Sequence, residues 1–398
     1  TEEGKRLVMS KKKKQLKAVQ AAKMRKKRRN KRRKRIFVLT AEVIILTFLL
    51  GTAYVMAKYD KIQRVEIDSE SVTVNEGAVK EGYTTVALFG GDSREGQLGA
   101  GTHADTIIIA SIDNKTKEIR LVSIYRDTFL KQKDDKYNKA NSAYFRGGPE
   151  EAISMLNENL DLDIEDYVTV DFKALVDTID LMGGIEIDIQ EEEVQYMNEF
   201  LQETADVAGT EANFIEHAGE QKLDGAQAVT YARIRSTAGG DYKRTERQRL
   251  VIEKIFEKAV KTKISTINKI IDKVFEQVST SFSLKEALGL AAGVADYQLG
   301  ETAGFPFEKR DDVRYKNCGS VVVAQGLAEN VQELHTFLYP NEEEKPVSDT
   351  VQQISDDIAY LTGVTRPKEL DEEKTEGEET SDTSPGEGTT SGEVDSEE

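Results

Sequence analysis

Leu223–Val251 reads LDGAQAVTYARIRSTAGGDYKRTERQRLV. Arg233, Arg235, Lys243, Arg244, Arg247 and Arg249 crowd into fewer than twenty of these residues, where only Asp241 and Glu246 oppose them. Asp224, followed three residues later by Gln227, fits a capping box and predicts a short helical turn. Tyr231-Ala-Arg-Ile-Arg alternates in character, so a half-buried strand is expected, with Arg233 and Arg235 on one face and Ala232 and Ile234 on the other. Thr237 to Gly240 breaks that strand, and Asp241 is placed to cap the next helix. Arg244 and Gln248 are four apart and share a face of this helix. Strand end, glycine break and helix start can thus aim three guanidiniums and an amide at one point. Such a cluster repels itself and calls for an anion, and guanidiniums favour phosphate or carboxylate through paired donors. The competing reading is a solvated basic face on a surface helix.

The alternation of short strands and helices continues on both sides. Strands are expected at Thr85–Phe89, Thr106–Ile112, Ile119–Ile124, Tyr167–Val170, Ile185–Ile189 and Ser320–Ala324. Helices are expected at Pro149–Leu160, at Phe172–Met182 before Gly183-Gly184, at Ser283–Ala295 behind a Ser283/Glu286 cap, and at Leu327–Leu338. Thr245–Val278 reads as one long amphipathic helix or a broken pair. Glu191–His217 is acidic, shows no strong period and reads as a surface excursion. Strands interleaved with helices predict an α/β domain, a mixed or mostly parallel sheet covered by helices.

Charge divides the chain of 398 residues. The net charge is −17, yet residues 1–35 alone carry +16 and the remainder −33. A basic run of that kind invites a nucleic-acid reading, and the adjoining segment argues against one. Residues 36–57, IFVLTAEVIILTFLLGTAYVMA, are mostly apolar and long enough, at about 1.5 Å per residue, to cross a bilayer. The expected arrangement is a cytoplasmic basic tail (1–35) drawn to anionic membrane lipid, one transmembrane helix (36–57) interrupted by Glu42, a polar stalk (58–82), a folded domain (83–340) outside the cell and an acidic tail (341–398). Order is expected to fade after about Pro346, and Arg366–Glu398, with 13 acidic and 3 basic residues, is expected to be disordered. The chain opens on Thr1, so a missing or processed start is expected. A single cysteine, Cys318, rules out an intrachain disulfide framework and a cysteine-built metal site.

Other motifs fall at strand ends. Phe89-Gly-Gly-Asp-Ser-Arg brings Asp92 and Arg94 after one strand, and Gly101-Thr-His-Ala-Asp-Thr brings His103 and Asp105 before the next. Asp92 and Asp105 could share a hard cation such as Mg²⁺ with a phosphate, or could be simple turn formers. Ser123-Ile-Tyr-Arg-Asp offers Arg126 and Asp127 as an anion contact or a local ion pair. Lys136-Tyr-Asn-Lys-Ala-Asn-Ser-Ala-Tyr144 could line a sugar or phosphate site, or simply lead into a helix. No Ser-His-Asp set, Cys-His set or phosphate-loop signature can be assembled from the rest.

In this order, from about Thr84 to Leu250, the motifs resemble the LytR-CpsA-Psr family of cell-wall glycopolymer ligases. The resemblance implies an α/β/α sandwich with a mixed central sheet. It implies transfer of an anionic glycopolymer, of the teichoic acid or capsule type, from an undecaprenyl-pyrophosphate carrier to peptidoglycan. It further implies Mg²⁺ on Asp92 and Asp105, and Arg126, Lys136, Arg233, Arg235, Arg244 and Gln248 around the pyrophosphate, with Asp241 beside them. His103 stands where the family usually has arginine, and Tyr125 where it usually has proline. The alternatives are a membrane-anchored regulator and a non-catalytic wall-polymer-binding protein.

Overall fold

Asp113 turns the chain back on itself. Its Oδ1 accepts from the backbone N–H of Lys115 (2.8 Å) and Thr116 (2.9 Å), and Lys117 closes the turn at φ 64°. The flanking strands, β3 (Ala104–Asp113) and β4 (Glu118–Ile124), pair antiparallel with Ile112 opposite Ile119. Joining them are β1 (Gln63–Arg64), β2 (Tyr83–Gly91), β7 (Asp166–Asp171), β10 (Val278–Thr280) and β11 (Gln298–Phe305). The result is a mixed sheet in the order β1-β10-β7-β2-β3-β4-β11. β2, β4, β7 and β11 run the same way, so their carboxyl ends share one edge. Three small two-stranded antiparallel sheets stand apart from this sheet: β5 (Phe129–Lys131) with β6 (Tyr137–Lys139), β8 (Ile185–Ile189) with β9 (Gly219–Leu223), and β12 (Lys309–Tyr315) with β13 (Gly319–Ala324).

The computed structural model describes residues 9, 47, 49–65, 67, 71–78, 80–91, 98–293 and 295–367. It contains two compact units, Thr1–Lys61 and Ile62–Glu398. In the first, residues 49–59 are helical, and no helix among the described residues is long and apolar enough to cross a membrane. Most of the apolar stretch 36–57, nearly all of the basic tail and everything past 367 lie outside the described residues.

In the second unit, helices cover both faces of the sheet. On one face pack α1 (Asn141–Leu160), α8 (Leu327–Leu338) and α9 (Asp349–Thr362), with Phe89, Ile107, Ile109 and Val122 pointing into their core. On the other lie α2 (Phe172–Leu181), α4 (Gly225–Arg233) and α5 (Gly240–Ala259), opposite Leu88, Ile108 and Leu121. The period-two alternation of the strands sorts their residues between these two cores. The architecture is therefore the expected α/β/α sandwich. Remaining helices are α3 (Glu191–Ala208), α6 (Ile264–Val274) and α7 (Leu284–Ala292); α5 and α6 are the broken pair.

Four expectations are corrected. Residues 231–235 are not a strand: the Asp224/Gln227 box forms as read, and the helix it starts runs on through Arg233. Ala226, Ala228 and Ala232 favour that helix, and five alternating residues are too few to outweigh them. Glu191–His217 is no mere excursion, because α3 buries Met197, Leu201, Ala205 and Ala208 at helical spacing beneath its acidic face. The supposed stalk contributes β1 to the sheet and buries Ala78 and Lys80. Order does not fade after Pro346 either. Ser348 caps α9 by accepting from the Val351 N–H (3.2 Å), and Val351, Ile354 and Ile358 enter the main core. Acidic residues on its outer side mask that stripe in any composition count.

Candidate active site

The site sits at the shared carboxyl-end edge of the sheet, where open α/β folds bind ligands. A bulge prepares it: Gly90 pairs with Thr106 and Gly91 with Ala104, leaving Asp105 unpaired. Glycine is needed at position 90, since a Cβ there would come within 2.9 Å of the Thr106 Cβ.

Arg126 follows β4 and donates from Nη1 to Asp105 Oδ1 at 2.9 Å, while its Nε stands 3.7 Å from Asp241 and 3.9 Å from Asp127. Arg235 bridges the same two acids, 3.5 Å from Asp105 Oδ2 and 3.5 Å from Asp241 Oδ1. Arg244, only 3% exposed, reaches Asp241 at 3.0 Å and the Asp105 carbonyl at 3.4 Å. Lys139 meets Asp127 at 3.1 Å. The self-repulsion expected of the arginines is thus shared out among Asp105, Asp127 and Asp241. Even so, Arg126 Nε and Arg244 Nε are buried with no hydrogen-bond acceptor among the described residues. Buried donors left this way mark a place for acceptor oxygens.

Asp241 is not the cap of α5. Gly239, at φ 89°, precedes the helix, and Asp241 in the first turn faces the guanidiniums. Burial raises its pKa above the ordinary value, against the lowering pull of Arg126 and Arg235. Arg247 plays a different part from its neighbours. It donates to Glu193 (2.7 Å), Thr237 Oγ1 (2.7 Å) and the Ile234 carbonyl (3.2 Å), so a buried ion pair clamps the loop that presents Arg235. Behind the cluster, Tyr125 and Tyr242 meet edge to face at 4.6 Å, and Lys309 Nζ lies 5.2 Å and 5.0 Å from their ring centres.

Two cavities open here and share residues. A cleft of about 330 Å³ is lined by Asp105, Arg233, Arg235, Arg244 and Gln248. An apolar cavity of about 230 Å³ lies between the sheet and α2, α4 and α5, walled by Leu88, Ile108, Val168, Leu175, Val229 and Ile252. Thr106, Phe172, Arg233 and Gln248 line both. Arg233 stands at the junction, its guanidinium 5.0 Å from the Phe172 ring centre and donating to Thr204 Oγ1 at 3.0 Å.

Of the residues singled out in the sequence, Arg126, Arg235, Arg244, Asp105 and Asp241 interlock, and Arg233 and Gln248 join Arg235, Arg244 and Asp105 in lining the cleft. Lys136 is not brought to it: its Nζ pairs with Asp134 (2.8 Å), and it lines a different cavity. The lysine that reaches the cluster is Lys139, at the root rather than the tip of the β5–β6 hairpin. His103 stacks on Phe145 (4.4 Å, 14°) and does not take an arginine's place among these ion pairs. Asp92 lies outside the described residues, so the proposed metal pair is described only through Asp105. Among the described residues, no group of three or more histidine, cysteine or acidic side chains is arranged to hold a metal ion. Phe200 and Glu203 also line the cleft and carry no motif that the sequence alone would single out.

The LytR_cpsA_psr family model matches residues 46–333. A Bacillus subtilis (strain 168) relative, the polyisoprenyl-teichoic acid–peptidoglycan teichoic acid transferase TagV, is 28% identical over 241 residues, 56% of this chain and 59% of that protein. The transferase TagU of Enterococcus faecalis is 32% identical over 183 residues, 46% of this chain and 55% of its own. The chain thus spans little more than half the length of these relatives. Among solved structures, the LytR-CPS2A-psr family protein YwtF (TagT) with bound octaprenyl pyrophosphate lipid superposes with a TM-score of 0.51 at 20% identity, covering 69% of this chain and 99% of that one. That likeness is one of fold.

Proposed function

Because the chain belongs to the LytR-CpsA-Psr family, matched over residues 46–333, we propose that it transfers an anionic glycopolymer from a polyprenyl-pyrophosphate carrier to peptidoglycan. The observation that carries this reading is the junction of the two cavities: a cleft lined by guanidiniums runs into an apolar hollow, with Arg233 on both walls. A diphosphate head on an isoprenoid tail has that same division. Relatives named as teichoic acid transferases and the lipid-bound neighbour of the same fold support it.

The step follows from the residues. An acceptor sugar hydroxyl attacks the sugar-linked phosphorus. A new P–O bond forms, the bridging P–O bond breaks, and polyprenyl phosphate leaves. Negative charge grows on the phosphoryl oxygens, where Arg126, Arg235 and Arg244 are already fixed and need little reorganisation. Arg233 holds the head where the tail enters the hollow. Asp241, whose burial raises its hold on a proton, is the carboxylate that takes the one the acceptor loses.

Asp105 offers hard oxygens suited to Mg²⁺, both of them facing guanidiniums at present. Asp105 would hold the ion, with Asp92 as its expected partner. Mg²⁺ would then supply further neutralisation of the diphosphate charge. We further propose that residues 36–57 anchor the chain in the cell membrane, basic end in the cytoplasm and the catalytic unit outside.

The test uses the purified full chain in detergent, a lipid-pyrophosphate-linked glycopolymer and peptidoglycan strands. The expected result is release of polyprenyl phosphate together with polymer-bearing strands, both suppressed by chelating divalent cations. Tight lipid binding with no release would leave a binding protein in place of a transferase, and release indifferent to chelation would remove the Mg²⁺ assignment.

A further inference from the structure

A second large cavity, of about 590 Å³, opens at the tip of the β5–β6 hairpin. Its walls come from that hairpin, from the β12–β13 hairpin and from α9, which lies beyond the residues matched by the family model. Three tyrosines line it: Tyr137, Tyr315 and Tyr360. Two are fixed from behind, since Phe129 packs 5.6 Å from the Tyr137 ring centre and 4.7 Å from that of Tyr315. The Tyr137 hydroxyl donates to Asp357 Oδ2 at 3.0 Å, tying α9 to the hairpin and setting the floor. Tyr360 is 89% exposed, so its ring is not there to fill the core.

The polar lining is mixed. Lys136, Arg146 and Lys316 stand with Asp135 and Asp357, and Asn138 adds an amide. Donors and acceptors together, with charges near balance, do not select a polyanion. They suit a ligand that carries hydroxyls around its rim and apolar faces on its rings. Tyrosine likewise couples a flat apolar body to a polar tip. The volume falls within the range of about 300–1,000 Å³ usual for ligand sites.

We propose that this groove binds a glycan strand, sugar rings lying against Tyr360 and Tyr315 and hydroxyls meeting Asp357, Asn138 and Lys136. It is a site distinct from the arginine cleft, and it does not depend on transfer taking place there. Extended chain leading into and along β6 covers about 10 Å from Lys136 at the groove to Lys139 at the cluster.

The experiment is calorimetric titration of the purified full chain with a β-1,4-linked N-acetylglucosamine hexamer, alongside a hexaglutamate peptide as the polyanion. Saturable binding of the sugar and none of the peptide is expected. Tyr360→Ala should weaken the sugar about tenfold while Tyr360→Phe, which keeps the ring, stays within about twofold. Since that side chain is exposed, both variants should melt with the parent, so a loss of binding is not a loss of fold. Absence of saturable sugar binding, preference for the peptide, or an unchanged affinity in Tyr360→Ala would each overturn the proposal.

Discussion

The two faces of the central sheet are built from the same strands and differ in what they leave behind. On the face covered by α1, α8 and α9, fully buried Tyr144, Ile153, Leu156 and Val331 fill the space against Phe89, Ile107 and Ile109. On the face covered by α2, α4 and α5, the central cluster among the described residues buries Ile108, Ala110 and Leu121, and a hollow remains beside them. A protein interior ordinarily closes such a gap, because each unfilled methylene forfeits packing. One face therefore holds the fold together, and the other gives up some stability to keep a space with arginines at its mouth.

The largest effect should come at that mouth. Arg244→Ala removes the most buried guanidinium of the cluster, and polyprenyl phosphate release should fall about 10²–10³-fold, the usual cost of losing one fixed charge-stabilising donor. Arg233→Lys keeps the charge and loses the planar pair of donors, so most of the turnover should go with it. Rates near the parent's in both would dissolve the link between hollow and chemistry.

Next comes the contrast in stability. Leu156→Ala on the packed face should cost about 3 kcal/mol in denaturant unfolding, and Leu88→Ala beside the hollow about 1 kcal/mol, since its site is already underfilled. Equal losses would mean that the faces are packed alike. A smaller effect is expected on filling the space. Ala232→Phe on α4 should change the unfolding free energy by less than about 1 kcal/mol and weaken binding of a polyprenyl pyrophosphate about tenfold or more. Undiminished lipid affinity would place the tail elsewhere.

The smallest effect concerns pH. Because burial raises the Asp241 pKa above its ordinary 3.8, the folded protein holds that proton more tightly than the unfolded chain does. This contribution is complete below the ordinary value and is lost as pH rises through the raised one. Asp241→Asn cannot lose it, so its melting temperature relative to the parent should climb across that window. A constant offset between the two would show that the carboxyl is not raised.

Much of this contrast could be read in advance, for reasons tied to particular residues. Alternation in Thr106–Ile112 and Ile119–Ile124 sorts side chains between two faces before any neighbour is known. The Asp224/Gln227 box and the four-residue spacing of Arg244 and Gln248 are local, and both appear as read. Where local signals were short or competing, the reading failed. Tyr231–Arg235 alternates over too few residues to resist a helix already capped upstream, and the acid-rich surfaces of α3 and α9 concealed their buried stripes. Lys136 and Lys139 are equivalent in type; only the direction in which the hairpin points separates them.

The sequence alone determined four strands of the sheet (β2, β3, β4 and β7), the family and the arginines of the cluster, because periodicity, caps and residue chemistry act over a few neighbours. Which arginines face a ligand and which one, Arg247, clamps a loop was decided by tertiary structure. So were the pairing of Asp105 and Asp241 with those arginines and the hollow under α2, α4 and α5. Contacts between residues more than a hundred positions apart depend on how the layers stack, and a gap between layers belongs to no single stretch of chain.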